Sequence, residues 1–561
     1  MVETGREGVP YDLVFPEVFH PDGSPGRRGF DVVLGNPPWD AIQFKTKEFF
    51  ASFDFRILEA PTKRERTAIE ERLLADHACA PLFAEYKEAF ERLKRANDAL
   101  CHYQKVEVDG DLAGRQIDSF RVFMERNAQL LGPTGLTGVL VPSAFHANEG
   151  AIGVRQLYLE RMALLCCFSF ENRRKLFEID SRFKFALVVA GKPGPTTEFP
   201  CAFYLHDMDW LFGDRSGREL RYSLDFVQRT GGVYLSLLEL QSESDLDVAE
   251  ACFRNGEPFG KACELLQIRF GSECHMTNDS WRFTPAATIL PNGEDPRDPA
   301  VATRLLEQNY LYMHEGKTFR QYDDHWADPP RYLLAVTRLA DKPGWISAAR
   351  FFRLAYRNIA GPGDQNVAIW NLHSAGCATG EKGPSESTPS ERPTSKALVV
   401  LASWNSYVPD WLLQLRVRAT VSQFMLFATP VASGGVGRER FLSHSALRLT
   451  CNHAGYAPLW HEQVGDAWRE PSPRFTWPVL EGDDARWAVR AAIDAVVADA
   501  YGLSRSQYAH VLSTFSHKSY PKAPALCLAA FDELKEIGLD AFARRHDPYH
   551  DLPLNEDLPK P

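Results

Sequence analysis

Four consecutive residues, Asn36, Pro37, Pro38 and Trp39, stand directly behind an apolar run containing Phe30, Val32, Val33 and Leu34. The run reads as a buried strand, and proline cannot continue a central ladder, so the chain must turn there. The Asn side-chain oxygen and the carbonyl of the first proline are two acceptors, and the prolines restrict the turn so that both can converge on one group. That arrangement suits the exocyclic amine of a base. Its lone pair is delocalised into the ring, and it becomes a usable nucleophile only when its hydrogens are held out of the ring plane. Trp39 would then stack on the extruded base, a contact worth about 1–3 kcal/mol. The same four letters also fit an ordinary turn at a strand end, where Asn and Pro are common.

The elements that must position these residues follow an α/β pattern. Residues 118–131 carry Phe120, Phe123, Met124, Leu130 and Leu131 at helical spacing, followed by a Gly132-Pro133-Thr134-Gly135 turn and an apolar strand over 136–141 that ends at Pro142. A helix is predicted over 150–162 and strands over 163–170 and 184–190, the last two separated by a polar, basic segment. Helix, glycine turn and apolar strand in succession define an α/β repeat. Residues 46–100 are rich in Glu, Lys, Arg, Leu and Ala, with a break near Ala80-Pro81, and predict a helical insertion over about 46–105. Beyond Gly191 the periodicity becomes irregular. Residues 374–396 are rich in Ser, Pro, Gly and Glu with little to bury, and predict a flexible insertion. A helical tail begins near Asp483. The expected division is a catalytic domain over 1–215, an α+β region over 216–480 and the tail over 481–561.

The 561 residues can hold several cores, and 44% hydrophobic with 24% charged residues is ordinary globular composition. The 11 cysteines include no Cys-x-x-Cys pair, so neither a zinc ribbon nor a disulfide framework is supported. There is no apolar run of about 18 residues, and the opening MVETGREGVP lacks signal-peptide character; a cytoplasmic protein without membrane association is expected. A formal charge of -11 argues against coating nucleic acid by bulk attraction. Local basic clusters at Arg27-Arg28, 64–72, 92–95, 173–184 and 416–418 could still meet phosphates, or be solvated faces.

Several segments together resemble the N6-adenine DNA methyltransferases of the gamma arrangement, in particular the long type IIG, BREX-like and DISARM-like enzymes of restriction-modification and phage defence. FPEVF, GFDVVLGNPPWD, DSFRVFMERNAQLLGPTGLTGVLVPSAF and ENRRKLFEIDSRFKFALVVAG occur in that family's order. The resemblance implies that Asn36 and the Pro37 carbonyl hold the target amine, that Pro38 completes the turn, and that Trp39 stacks on the adenine. It implies Phe177 as the second stacking aromatic; a core phenylalanine is the alternative. Arg182 and Lys184 are candidate phosphate contacts or strand caps.

Farther along, HEGKTFRQYDDHWAD resembles the family's GKMFHQFDHR segment and RLAYRNIA its RLAFRDIA. The segment NSYVPDWLLQLRVRATVSQFMLFATP also has a counterpart, and YGLSRSQYAHVLSTF resembles the family's tail scaffold. By this resemblance residues 216–480 are a target-recognition region, and Lys317, Arg320, His325, Arg357, Arg416 and Gln423 are candidate contacts to double-stranded DNA, structural salt bridges being the alternative for each.

The resemblance also implies S-adenosylmethionine as methyl donor. Its strand, glycine turn (Phe-x-Gly-x-Gly) and ribose-binding acidic residue should lie ahead of Asn36, where 35 residues are too few to hold them. The expected fold is therefore a partial doubly wound, Rossmann-like sheet lacking its donor-binding strands. The glycines Gly434, Gly435 and Gly437 are the only downstream candidate for that turn, and a weak one. Two accounts stay open: a split or truncated polypeptide, or one paired with a separate chain that supplies the donor half. Both predict an uncovered edge on the strand at Asp31 to Leu34. A non-catalytic DNA-recognition subunit or remnant is the competing function. No nuclease motif or metal site is expected.

Overall fold

The computed structural model describes residues 9–21, 28–108, 110–113, 116–360, 365–417, 420–432, 434–465 and 480–560; Arg27 and Arg418, from two of the basic clusters, lie outside them. The chain forms two compact units, Met1–Glu243 and Ser244–Pro561.

Among its described residues the first unit has ten strands: β1 (Phe30–Gly35), β2 (Ala41–Ile42), β3 (Val106–Val108), β4 (Asp111–Ala113), β5 (Ile117–Asp118), β6 (Leu131–Pro142), β7 (Ala163–Glu171), β8 (Lys184–Gly191), β9 (Glu198–Leu205) and β10 (Leu220–Ser223). Six of them form one mixed sheet in the order β1-β6-β8-β7-β9-β10. β1 runs parallel to β6, and β8 lies antiparallel to both β6 and β7. The small ribbons β2-β5 and β3-β4 flank it. The apolar runs read from sequence all become strands of this sheet, and helices occupy the predicted insertion, over Thr46–Ala51, Arg56–Glu59, Lys63–Leu74 and Cys79–Leu100.

Two details differ from expectation. The Gly-Pro-Thr-Gly segment is not a turn ahead of β6 but lies within it, where the register jumps from Phe30↔Leu131 to Val32↔Leu136. Its glycines serve close approach: a Cβ on Gly135 would lie 2.6 Å from the Phe30 carbonyl oxygen, and one on Gly29, whose φ is +129°, 2.5 Å from the Gly132 nitrogen. The helix expected over 150–162 is composite, passing from a 3-10 turn through Ile152–Gln156 into a π-turn at Leu157–Arg161.

One face of the sheet is well covered. Thr137, Val139 and Val141 of β6 are buried, as are Met124 and Ala128 on the helix Ser119–Leu130. The opposite face is bare near β1, where Val32, Leu34, Leu136 and Leu165 are 54, 78, 41 and 43% exposed. Among the described residues β1 has β6 as its one partner strand.

The second unit contains β11 (Gly256–Pro258), β12 (Phe270–Gly271), β13 (Phe283–Pro285), β14 (Tyr310–His314), β15 (Tyr332–Ala335), β16 (Arg353–Tyr356), β17 (Trp370–His373), β18 (Cys377–Thr379), β19 (Ser385–Glu386) and β20 (Pro430–Ala432). They form two four-stranded sheets, β12-β19-β16-β17 and β13-β15-β14-β18, and the ribbon β11-β20. The downstream glycine cluster therefore follows a strand of an antiparallel ribbon and opens the helix Gly435–Thr450; among the described residues no parallel strand pairs with that ribbon. The tail helices, among them Gly482–Ala500 and Ala523–Ile537, belong to this unit; Asp494 accepts the Tyr407 backbone N–H at 2.7 Å.

The flexible insertion expected over 374–396 is corrected by the structure, because β18 and β19 lie inside it and each joins one of the two sheets. Its polar residues are buried against partners. Arg392 pairs with Glu386 at 2.5 Å, both at most 1% exposed, and Thr379 donates its N–H to Glu273, which in turn pairs with Arg353 at 2.6 Å. A segment with few apolar residues can be ordered when its charges are satisfied inside.

Candidate base-binding site

Asn36 follows the last residue of β1, at the carboxyl end of the parallel β1-β6 pair, the end of an open α/β sheet where ligands bind. The turn is tied down behind it. The Asp40 carbonyl accepts both the N–H of Ser119 at 2.9 Å and its hydroxyl at 2.8 Å, at the start of the helix Ser119–Leu130. β2 then pairs with β5, closing the segment onto the same helix start. Pro37 is buried, whereas Asn36 and Pro38 are exposed. Among the described residues neither the Asn36 side chain nor the Pro37 carbonyl has a hydrogen-bond partner, so both acceptors are uncommitted.

Trp39 is half-buried. Its indole Nε1–H donates to the Leu140 carbonyl of β6 at 3.4 Å, and its ring packs on the cluster formed by Phe168, Phe170 and Phe185. Three phenylalanines meet it. Phe183 stacks in parallel with centroids 5.5 Å apart and 9° between planes; Phe185 lies at 6.4 Å and 24°; Phe177 stands edge-on at 5.9 Å and 68°. Phe177, implied by the resemblance as the second ring on the adenine, presents its edge to Trp39, and its position is fixed by Asn172, which accepts its N–H at 3.0 Å and donates to its carbonyl at 2.9 Å. The stacked partner is Phe183, which sequence reasoning missed. The available signal was the Phe183-Lys184-Phe185 alternation at the strand start, which sends both rings to the side of the sheet that carries Trp39.

Lys184 is not placed to touch phosphate. Its ammonium lies 2.9 Å from Glu239 and 3.7 Å from Glu171, over the face of Tyr204 at 3.5 Å, and its side chain is 10% exposed. Glu239 also bonds His146 at 2.9 Å, and Glu171 bonds His206 at 3.0 Å, so the lysine is the centre of a largely buried charge network. Arg182 points outward, forked onto Asp180 at 2.7 and 3.0 Å, and this pairing holds the Asp180 carboxyl well below its usual range.

The candidate contacts in the second unit divide in the same way. Lys317 is exposed, 3.9 Å from Glu315, and Gln423 is exposed at the first position of the helix Gln423–Ala428. Arg320 lies over the Trp326 ring at 4.7 Å. Arg357 donates inward to the Phe319 carbonyl at 2.6 Å, and Arg416 lies over Phe253, its pKa pushed down to about 10 by desolvation. Both arginines make contacts within the second unit, neither of them the salt bridge that was the alternative.

His325 takes part in a cluster that the sequence did not single out. Asp324, His325 and His453 offer ligand atoms within 4.8 Å of one another. The hydrogen bonds argue against a cation there. His453 bonds Asp324 through Nε2 at 2.8 Å and accepts the Gly455 N–H on Nδ1 at 3.1 Å, so its Nε2 carries the proton that a metal would have to displace. His325 stacks on His453 at 4.1 Å and bonds the Arg297 carbonyl at 3.1 Å. The cluster is a structural clasp.

No family model and no curated protein matches the chain. Solved structures similar to the chain include restriction-modification enzymes. The Type IIL restriction-modification enzyme MmeI in complex with DNA shares 10% identity at a TM-score of 0.40, over 87% of this chain and 57% of that one. A DrdV-DNA complex shares 10% at 0.35, over 91% and 57%, and the type IIG restriction endonuclease BpuSI 9% at 0.27, over 93% and 54%. The chain thus spans between 54 and 57% of the length of these three. Among the described residues no helix is long and apolar enough to cross a membrane.

Proposed function

We propose that this chain is the target-base half of an adenine-specific DNA methyltransferase of the gamma arrangement, acting on adenine N6 in double-stranded DNA within a restriction-modification or phage-defence system. The observation that carries the reading is the pair of uncommitted acceptors, the Asn36 side-chain oxygen and the Pro37 carbonyl, at the tip of a sheet strand and within three residues of the stacked ring of Trp39. Asn36 and Pro37 accept the two hydrogens of the amine and draw its nitrogen toward a tetrahedral geometry, which frees the lone pair. Trp39 holds the base plane while its own orientation is fixed by Leu140 and the phenylalanine cluster behind it. Phe177 supports the Trp39 edge, and Arg182, Lys317, Arg320, His325 and Gln423 remain candidate DNA contacts.

S-adenosylmethionine supplies the methyl group in this reading, and the described residues do not fit a donor pocket. The sheet stops at β1, with no further strand to carry a glycine turn or an acidic strand end next to Asn36. The donor half belongs to a segment that extends the sheet past β1, and no chemical step through the donor is assigned to this chain.

The test mixes the full chain with labelled S-adenosylmethionine, DNA and the product of the adjacent upstream gene. Methyl transfer to adenine that is lost in Asn36→Ala supports the proposal. Site-specific DNA binding without transfer in any pairing would instead support a recognition subunit, the reading favoured by the missing donor strands.

A further inference from the structure

Phe183 occupies the surface that a base would need. Its ring lies parallel to Trp39 with centroids 5.5 Å apart, whereas a base held between two rings requires two stacking gaps of about 3.5 Å each, about 7 Å in all. The stack observed is therefore closed. Resting on the base-pocket reading above, we infer that Phe183 is a placeholder: its ring covers Trp39 in the free protein and is displaced by the incoming adenine.

Of the three rings against Trp39, Phe183 is the one able to leave. Phe185 is 2% exposed and stacked on Phe170 at 5.5 Å, and Phe177 is clasped by Asn172. Phe183 is 40% exposed. Its backbone is nonetheless fixed on both sides. Its N–H donates to the Asp180 carbonyl at 3.0 Å and its carbonyl accepts the Asn172 N–H at 2.9 Å, while the next residue, Lys184, is anchored by Glu239. Buried Asn172 also donates to the Ile179 carbonyl at 3.1 Å, which holds the loop from below. With the backbone pinned, uncovering Trp39 is a rotamer change of one phenylalanine and needs no loop opening. A stack of two partly exposed rings is weaker than a base on an aromatic ring, so an adenine can take the place.

A placeholder and a permanent clamp make opposite predictions for Phe183→Ala. The placeholder competes with the base, so removing it tightens binding; a clamp contributes to the sandwich, so removing it weakens binding. The probe is an end-labelled single-stranded dA12, in which no base pair must be opened, compared by anisotropy with the same strand carrying abasic sites in place of the adenines. Phe183→Ala is expected to bind dA12 about two- to tenfold tighter than the unaltered chain with abasic-strand affinity unchanged. Phe183→Leu, which keeps an apolar side chain, should fall between them, and both variants should melt with the parent because the ring is largely outside the core. Trp39→Ala should lose the preference for dA12. If the parent prefers dA12 and Phe183→Ala binds it equally or more weakly, the placeholder is overturned and the base pocket stands. If neither the parent nor the Phe183 variants distinguish dA12 from the abasic strand, the base pocket itself fails and the placeholder with it.

Discussion

The ammonium group of Lys184 lies 2.9 Å from the carboxylate of Glu239, and both side chains are withdrawn from solvent, at 10 and 4% exposure. Removing the lysine leaves the Glu239 carboxylate buried without that cation, its hydrogen bond to His146 remaining. Lys184→Met should therefore destabilise the first unit by about 3–5 kcal/mol in urea unfolding. It should leave the salt dependence of DNA binding unchanged. A stable variant with a shallower salt slope would return Lys184 to the phosphate contacts.

Asn36 makes the contrasting case. It is exposed and its side chain is unbonded among the described residues, so Asn36→Ala should change stability by no more than about 0.5 kcal/mol while abolishing methyl transfer in the reconstituted pair. A large loss of stability in the same measurement would mark the residue as a structural cap.

The buried pair Glu386–Arg392 tests the order of residues 374–396. Arg392→Met should cost about 3–5 kcal/mol of second-unit stability. Limited proteolysis of the unaltered chain should leave 374–396 intact, and early cleavage there would restore the flexible insertion.

Acid should act on the stacked, fully buried histidines His314 and His373, whose rings lie 4.3 Å apart. Burial pushes His373 down to about 3 and His314 well below its ordinary value. The unfolded chain takes up protons at these rings from about pH 6.5 downward while the folded chain does not, so their contribution to stability falls as the pH drops from about 6.5 toward 3. Relative to the parent, His373→Phe should gain stability progressively across that window and show no pH-dependent gain above it. The paired comparison cancels Asp410 and Asp494, whose carboxyls are raised by burial to about 6 and 7 and slope stability the other way. Melting curves at pH 4.5 and 7.5 suffice, and an equal shift at both pH values would refute the assignment.

What the sequence made legible follows from how each feature is encoded. The strands β1, β6, β7 and β8 are largely apolar runs, and such runs have few alternatives inside an α/β repeat. The Asn36 to Trp39 turn was readable because its chemistry is local. The surroundings of Lys184 and the order of residues 374–396 were not legible because each depends on a residue far away in sequence: Glu239 neutralises Lys184, and Glu273 accepts the Thr379 backbone N–H. Phe183 was missed because choosing between Phe177 and Phe183 depends on ring orientation, which Asn172 decides from the preceding turn.

The open side of β1 bears on how the molecule behaves in a tube. Backbone groups along Phe30–Gly35 that face away from β6, beside the exposed aliphatic side chains of Val32 and Leu34, form a template on which a second copy can zip. Prepared as these 561 residues, the protein should scatter light increasingly with concentration, and Leu34→Lys should suppress that turbidity without lowering the melting temperature.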